Sequence, residues 1–191
     1  MFHANGKLLL SGEYFVLDGA QALALPTQPG QSLEIETIDS NKNTLTWFSY
    51  DEKKELWFNG KFNLPDCAYL NGTDDAAGER LSNIFLAIAR QRPDFWTSMK
   101  GSLKLNTYLD FPREWGLGTS STLIVNLAAW ARVDPYQLLA DTFGGSGYDI
   151  ACGQSDQPLL YQRTDGQPRA QLVDYKPPFA NQLYFVSLAH H

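Results

Sequence analysis

The sequence has few of the side chains that usually hold a metal or form disulfides. Only two cysteines and three histidines occur among its 191 residues. Cys67 and Cys152 are far apart, and neither lies in a CxxC pair or a Cys/His cluster. A single disulfide is arithmetically allowed, but two isolated thiols favour a reduced, cytoplasmic protein.

Basic residues are also scarce. The 15 Lys and Arg are outnumbered by 21 Asp and Glu, which gives a net charge of −6, and no basic run occurs. Nucleic-acid binding depends on many basic contacts with phosphate, so this composition argues against it. The N-terminal apolar run is too short and too interrupted to be a signal peptide or a membrane span. We therefore expect a soluble protein with neither nucleic acid nor membrane as a partner.

Apolar and aromatic residues, by contrast, are plentiful. Hydrophobic residues make up 43% of the sequence, which includes 11 Phe, 9 Tyr and 5 Trp. This is enough for a sizeable core in one domain. Neither an internal repeat nor a low-complexity tract interrupts the chain. The aromatic surplus suits a core, a domain interface or a homodimer, and the sequence does not choose between them.

The pattern of apolar residues changes along the chain. The predicted helices cover residues 75–91, about 120–132, and a third segment that begins at Asp134-Pro135 and closes at Gly144-Gly145. A β-rich first part followed by a mixed second part predicts an α+β fold, with helices packed on a mixed sheet. The segments predicted as strands are 7–17 (with a tight turn inside it), 31–38, 43–50, 54–58, 102–109, 158–162, 170–175 and 182–188.

The sharpest local signal is the segment 112–121, PREWGLGTSS, which stands between a predicted strand and a predicted helix. Gly116 and Gly118 allow backbone N–H groups to converge and a bulky anion to approach. The helix that follows adds free N–H groups and the positive end of its dipole. A phosphate site is one interpretation, and an ordinary glycine turn capped by hydroxyl groups is the other. The lysine of a Walker loop is missing.

Two further segments each contain one charged residue that could take part in catalysis. The run 144–153, GGSGYDIACG, places Asp149 where it could accept a proton from a hydroxyl, although a turn aspartate bonded to its own backbone is the commoner case. The run 6–14, GKLLLSGEY, puts Lys7 at the start of an apolar strand, where it offers a point charge or is simply solvated.

Together, the three segments resemble the GHMP kinases, which include galactokinase, homoserine kinase, mevalonate kinase and phosphomevalonate kinase. Residues 6–14, with Gly19 and the ALALP run at 22–26, resemble the first motif of that family. Residues 112–121 resemble its second motif, PxxxGLGSSA, with Thr119 in place of the first serine. Residues 145–151 are similar to the aspartate segment of the mevalonate and phosphomevalonate branch. The resemblance extends from residue 1 to about residue 188.

The resemblance implies a GHMP-kinase N-terminal domain, a fold similar to one in ribosomal and other RNA-binding proteins, and an ATP-dependent transfer of phosphate to a metabolite. Asp149 would be the catalytic base or would orient the acceptor oxygen. Lys7 would lower the pKa of that oxygen and balance charge on the moving phosphate. The residues that would wrap the ATP phosphates are Gly116, Leu117, Gly118, Thr119, Ser120 and Ser121.

The same resemblance implies a magnesium ion and an acceptor pocket. Ser120 would contact Mg²⁺. Family members often supply a glutamate to the metal between the second motif and the aspartate, where this chain has only Asp134 and Asp141. Asp134 suits a helix cap, so Asp141 is the candidate second ligand. The residues that would border the acceptor are Glu13, Tyr14, Ser146 and Gly147.

The third glycine-rich motif of the family, which lies in a C-terminal domain, does not occur after residue 153. We therefore expect residues 1–188 to form the nucleotide-binding domain of a longer kinase and to be inactive alone. Two alternatives keep the fold: a ligand sensor that does not transfer phosphate, and the related diphosphomevalonate decarboxylase. Intact Lys7 and Asp149 argue against a sensor. The sequence does not identify the acceptor.

Overall fold

The computed structural model describes residues 1–182 and 184–186. The α-helices are α1 (Asp75–Gln91), α2 (Thr119–Ala131), α3 (Pro135–Ala140) and α4 (Tyr148–Gly153). The strands are β1 (Phe2–Ser11), β2 (Ala22–Ile38), β3 (Thr44–Tyr50), β4 (Leu56–Asn63), β5 (Tyr69–Gly72), β6 (Ser102–Leu109), β7 (Leu159–Thr164) and β8 (Gln167–Leu172). The α+β prediction is therefore confirmed.

All eight strands belong to one sheet, in the order β5-β4-β3-β6-β2-β7-β8, with β1 paired to β2 outside that path. Among the strands in the described part of the chain, only β3 and β6 pair in parallel, and every other pair is antiparallel. The long strand β2 organises the sheet, because its first residues pair with β7 and its second half pairs with β6. The sheet is mixed, as the sequence predicts.

The main core lies between the sheet and helices α1 and α2. Alternate residues of β6, from Leu103 to Leu109, point inward and are buried, as period-two alternation requires. Helix α1 contributes Phe85, whose ring meets Trp96 edge-on at a centroid distance of 5.2 Å. A smaller buried cluster is formed where Cys152 of α4 packs against Ala22 of β2 and Tyr161 of β7.

Several predicted boundaries agree closely with the structure. Residues 75–91 and 102–109 form the predicted helix and strand. Helix α2 begins at Thr119, one residue before its predicted start. Asp134 caps α3 with its side chain, which accepts the N–H groups of Tyr136 and Gln137. None of the helices within residues 1–182 and 184–186 is both long and apolar enough to cross a membrane.

Other predictions need correction. Helix α3 ends at Ala140 rather than at Gly144-Gly145. The N–H groups of Thr142, Phe143 and Gly144 all donate to the Leu139 carbonyl, so the regular i→i−4 pattern stops there. The strand predicted at 170–175 is β8, at Gln167–Leu172, whose register is set by a tight turn after Thr164. Neither α4 nor β5 was predicted. Of the strand predicted at 182–188, residues 184–186 are not extended in a sheet, and 183 and 187–188 lie outside the described residues.

Candidate active site

The glycine turn before α2 exposes the first turn of that helix. Gly116 and Gly118 both adopt positive φ, at 71° and 92°, a conformation that favours glycine. Gly118 is the N-cap residue, and no side-chain cap bonds the N–H groups of the first turn. That turn contains Thr119, Ser120 and Ser121. Its N–H groups and the positive end of the helix dipole are therefore available to an anion.

Buried polar contacts fix α2 to the sheet. The Thr122 hydroxyl donates to Oε1 of Gln31 at 2.9 Å, and Nδ2 of Asn126 donates to the Gln31 carbonyl at 2.8 Å. All three residues are buried. Buried hydrogen bonds of this kind hold a helix in one orientation, although Oδ1 of Asn126 has no partner among the described residues. The start of α2 is therefore set rigidly against β2.

Lys7 lies beside this glycine turn. Its backbone N–H donates to the Leu117 carbonyl at 3.0 Å, which joins β1 to the turn. Its side chain runs over Gly118, where an added Cβ would lie 3.2 Å from Cγ of Lys7. The ammonium group then reaches a point 5.5 Å from the centre of the Tyr148 ring. Lys7 therefore places a positive charge next to the start of α2.

Asp149 lies in the first turn of α4 and contacts α2 directly. The Ser121 hydroxyl donates a hydrogen bond to Oδ2 of Asp149, and the N–H of Ile150 donates to Oδ1 at 3.0 Å. Asp149 is only partly buried. Helices α2 and α4 pack against β1 and against each other. The structure therefore brings together Lys7, the first turn of α2 and the Asp149 carboxylate.

Burial shapes the ionisation of the groups below this cluster. Burial raises the pKa of the Tyr148 hydroxyl, and the Lys7 ammonium acts in the opposite direction. Burial, helped by the charge of Asp149, raises the pKa of the Cys152 thiol to about 12. Both groups are therefore neutral at physiological pH. Sequence reasoning assigned no role to Tyr148, and its position next to Asp149 was the only signal that pointed to it.

A cavity of about 330 Å³ opens from the first turn of α2. Thr119 and Ser120 line one part of it, and Trp57 and Arg113 line another. The Arg113 guanidinium lies 3.7 Å from the centre of the Trp57 ring, in the geometry of a cation–π contact. Sequence reasoning missed both residues. Arg113 lies inside the glycine-turn motif, but nothing in the alternation of β4 marks Trp57.

Of the predicted acceptor residues, two lie in the exposed turn after β1. Tyr14 is 77% exposed and has a positive φ of 64°, an uncommon backbone conformation for a tyrosine. Glu13 is exposed as well, and its charge contributes to the raised pKa of Tyr148. Ser146 and Gly147 instead border a second cavity, which Lys7, Glu13 and Asp149 do not line.

The two predicted magnesium ligands, Ser120 and Asp141, are both exposed but line different openings. Ser120 lines the cavity at the start of α2. Asp141 is exposed, accepts a hydrogen bond from Nε2 of Gln137 at 2.8 Å, and borders an opening with Arg80 and Arg90. Within residues 1–182 and 184–186, no group of three or more His, Cys, Asp and Glu side chains is arranged to hold a metal. Magnesium bound through phosphates needs only one or two protein oxygens, and the exposed Ser120 hydroxyl at the start of α2 can offer one.

This fold has relatives among known structures. No protein-family model matches the sequence, and no curated protein matches it either. Solved structures that share its fold include GHMP-family kinases, so the chain has the fold of a GHMP-kinase N-terminal domain. They include sugar kinases and kinases that act on mevalonate and phosphomevalonate.

Three of these structures illustrate the similarity. D-glycero-D-manno-heptose 1-phosphate kinase from Bacteroides thetaiotaomicron matches 91% of this chain and 60% of its own, at 18% identity and a TM-score of 0.63. Mevalonate kinase from Methanococcus jannaschii matches 93% and 56%, at 14% identity and a TM-score of 0.62. Streptococcus pneumoniae phosphomevalonate kinase, in complex with phosphomevalonate and AMPPNP, matches 84% and 49%, at 19% identity and a TM-score of 0.57. The chain therefore spans between half and three fifths of these proteins.

Proposed function

We propose that this chain is the nucleotide-binding domain of an ATP-dependent kinase that transfers the γ-phosphate to a hydroxyl or phosphate of a small metabolite. The observation that carries the proposal is the hydrogen bond from Ser121 to Asp149, with Lys7 alongside. It joins the helix start that suits a polyphosphate to the carboxylate that suits an acceptor hydroxyl. Phosphoryl transfer needs mainly alignment and charge neutralisation, and these groups provide both.

The triphosphate would bind at the start of α2. Its oxygens would accept hydrogen bonds from the backbone N–H groups of the first turn, because no side chain caps that turn. Mg²⁺, held by the Ser120 hydroxyl together with the Asp141 carboxylate, would neutralise phosphate charge. Lys7 would add its positive charge from the β1 side, where its side chain crosses Gly118.

The acceptor would approach Asp149 from the side of the exposed turn at Glu13 and Tyr14. The Asp149 carboxylate would orient the attacking oxygen or take its proton while the ammonium of Lys7 stabilises the oxygen's negative charge. The Tyr148 hydroxyl, whose pKa is raised by burial, stays protonated and can donate a hydrogen bond there. These side chains provide alignment, a proton acceptor and a positive charge at one point.

The nucleotide base would enter the 330 Å³ cavity next to the helix start. The indole of Trp57 offers a flat apolar surface, on which the Arg113 guanidinium now lies. A purine is also flat and polarisable, so it can replace the guanidinium on this ring. That exchange would release Arg113 toward the phosphates.

Among acceptors, we propose the mevalonate or phosphomevalonate type. The aspartate segment at 145–151 resembles that branch, and solved structures with this fold include a mevalonate kinase in complex with R-mevalonate and a phosphomevalonate kinase in complex with phosphomevalonate. An ADP-release assay on the whole gene product tests the proposal with mevalonate, phosphomevalonate, homoserine and galactose. We expect release that depends on one of the first two. Release with none of the four, in the presence of MgATP, contradicts the proposed reaction.

The role of Asp149 has a separate test. Asp149→Asn keeps a side-chain oxygen that can accept the hydrogen bond from the Ser121 hydroxyl. The amide, unlike the carboxylate, cannot take a proton from the acceptor. The substitution should lower turnover by about two to four orders of magnitude and leave MgATP affinity nearly unchanged. Asp165→Asn, in the exposed turn after β7, is the matched control and should keep full activity. Equal turnover in the two variants would show that Asp149 is not the catalytic carboxylate.

A further inference from the structure

A second cavity, of about 270 Å³, lies between α3, the loop 145–147 and the turn that joins β7 to β8. It shares no lining residue with the cavity at the start of α2. None of Lys7, Glu13 and Asp149 borders it either. It is therefore separate from the site proposed for phosphoryl transfer.

The cavity is lined by hydrogen-bond donors that lack acceptors. Arg163 is half-buried in its wall, and only its Nη2 is engaged, in a hydrogen bond of 3.1 Å to the Gly166 carbonyl. The guanidinium forms no ion pair with any carboxylate in the part of the chain that the structure describes. Likewise, no described protein group accepts the backbone N–H of Gly145, Ser146 or Gly147. A guanidinium and a row of backbone N–H groups form the typical donor set for an oxyanion.

One acidic residue borders the same cavity, and its charge is already engaged. Oδ1 of Asp134 accepts the N–H groups of Tyr136 and Gln137, at 2.8 and 3.3 Å, and so caps α3. A carboxylate at a helix N-terminus is stabilised by the dipole of that helix. Arg163 is the one basic side chain among the lining residues. We propose that this cavity binds the oxyanion group, carboxylate or phosphate, of a small metabolite.

The loop that lines this cavity also positions the predicted catalytic carboxylate. The Tyr161 hydroxyl donates a hydrogen bond to the Ser146 carbonyl. Gly147 packs closely against Tyr136 and Tyr161. A Cβ added at this position would lie 3.0 Å from Cδ1 of Tyr136 and 3.0 Å from the hydroxyl oxygen of Tyr161. Asp149 follows two residues later. An oxyanion bound to the N–H groups of this loop would restrict it and, through it, the position of Asp149.

The proposal is tested by titrating the 191-residue chain with inorganic phosphate, and separately with acetate, while following backbone amide resonances by NMR. Chloride keeps the ionic strength constant. We expect saturable shifts at millimolar concentration in the amides of Gly145, Ser146 and Gly147. A response to phosphate alone or to acetate alone identifies which oxyanion the site takes. Arg163→Gln, which keeps most of the side-chain packing, should weaken the interaction about tenfold or more.

Two further variants make the result specific. Arg163→Lys keeps a positive charge and should restore part of the affinity, and Arg169→Gln, on the neighbouring strand β8, should bind like the wild type. The proposal is overturned if neither anion produces saturable shifts in the loop. It is equally overturned if Arg163→Gln and Arg169→Gln weaken binding to the same extent, because the anions then bind only to general surface charge. Neither result depends on kinase activity.

Discussion

The two cysteine side chains are buried, and burial keeps both thiols uncharged. Cys152 lies in α4, three residues after Asp149, and Cys67 is buried in the main core between β4 and β5. Burial raises the pKa of each thiol from 9.0 to about 12, and nearby carboxylates add to the effect. A thiol with such a pKa is almost entirely protonated near neutral pH. Both cysteines are therefore structural residues in the folded protein.

Thiol reactivity provides a test at this scale. Because burial raises the pKa of both thiols to about 12, the folded protein has far less thiolate at pH 8 than the unfolded chain has. We expect a thiol reagent such as DTNB to modify neither cysteine rapidly in the native state and to modify both after denaturation in urea. Fast modification of one thiol in the native protein would contradict the buried position described here.

The same pKa change makes stability depend on pH. Below pH 9 both the folded and the unfolded thiols are protonated, so the stabilising contribution is complete. Above pH 9 the unfolded chain loses protons that the folded chain retains until about pH 12, so the free energy of unfolding falls as the pH rises. Cys152→Ala should reduce the slope of that fall. If urea denaturation above pH 9 shows the same pH dependence of the free energy of unfolding in Cys152→Ala as in the wild type, the raised pKa of Cys152 is contradicted.

Sequence patterns identify functional residues whose chemistry is unusual in their segment. They do not identify residues whose role depends on which side chains the fold places beside them. Lys7 and Asp149 stand out, since a charged group in an apolar or glycine-rich segment is unusual. Trp57 and Tyr148 do not, because an aromatic residue in such a chain is most often part of the core. Their significance comes from Arg113 and Lys7, which only the folded chain brings near them.

At the scale of elements, the site depends on two glycine turns, each followed by a helix. Gly118 precedes α2 and Gly147 precedes α4, and both adopt positive φ, at 92° and 88°. Each turn lets the chain leave a preceding segment and enter a helix within one residue. The two helix starts therefore face the same region, with Ser121 on one and Asp149 on the other.

Substitution of Gly118 tests the turn before α2. Gly118→Ala adds a Cβ 3.2 Å from Lys7 and forces alanine into a left-handed conformation, which costs about 1 kcal/mol or more. Gly166→Ala is the control, because it has a positive φ of 75° in open space. Urea denaturation should show a similar loss of stability in both. Calorimetry should show MgATP binding weakened about tenfold in Gly118→Ala alone. Equal MgATP affinity in the two variants would contradict the proposed phosphate site.

The elements that sequence reasoning predicted are those with a sustained period. Helix α1 has 17 residues and β6 alternates through all eight of its residues, so each pattern repeats enough to be recognised. Helix α4 has six residues and begins inside a glycine-rich run, so too few turns exist for a helical period. Strand β8 is mostly exposed and shows no alternation, and only its pairing with β7 defines its limits.

At the scale of the whole molecule, the sheet connects segments that lie far apart in the chain. Strand β1 carries Lys7, and both α2 and α4 pack against that strand. Ser121 and Asp149 are separated from Lys7 by more than a hundred residues, yet the three lie around one point. The resemblance of three short motifs anticipated this convergence. The distances and contacts came from the fold, because sequence order alone does not say which strands pair.

The claim that one polyphosphate binds where the start of α2, Lys7 and Asp149 meet is tested most directly by a crystal structure with AMPPNP and Mg²⁺. We predict phosphate oxygens within hydrogen-bonding distance of the N–H groups at residues 119–121. We also predict the Lys7 ammonium and the Asp149 carboxylate on either side of the γ-phosphate. A triphosphate bound elsewhere on the chain, or bound at α2 with Lys7 and Asp149 turned away from it, would contradict the account.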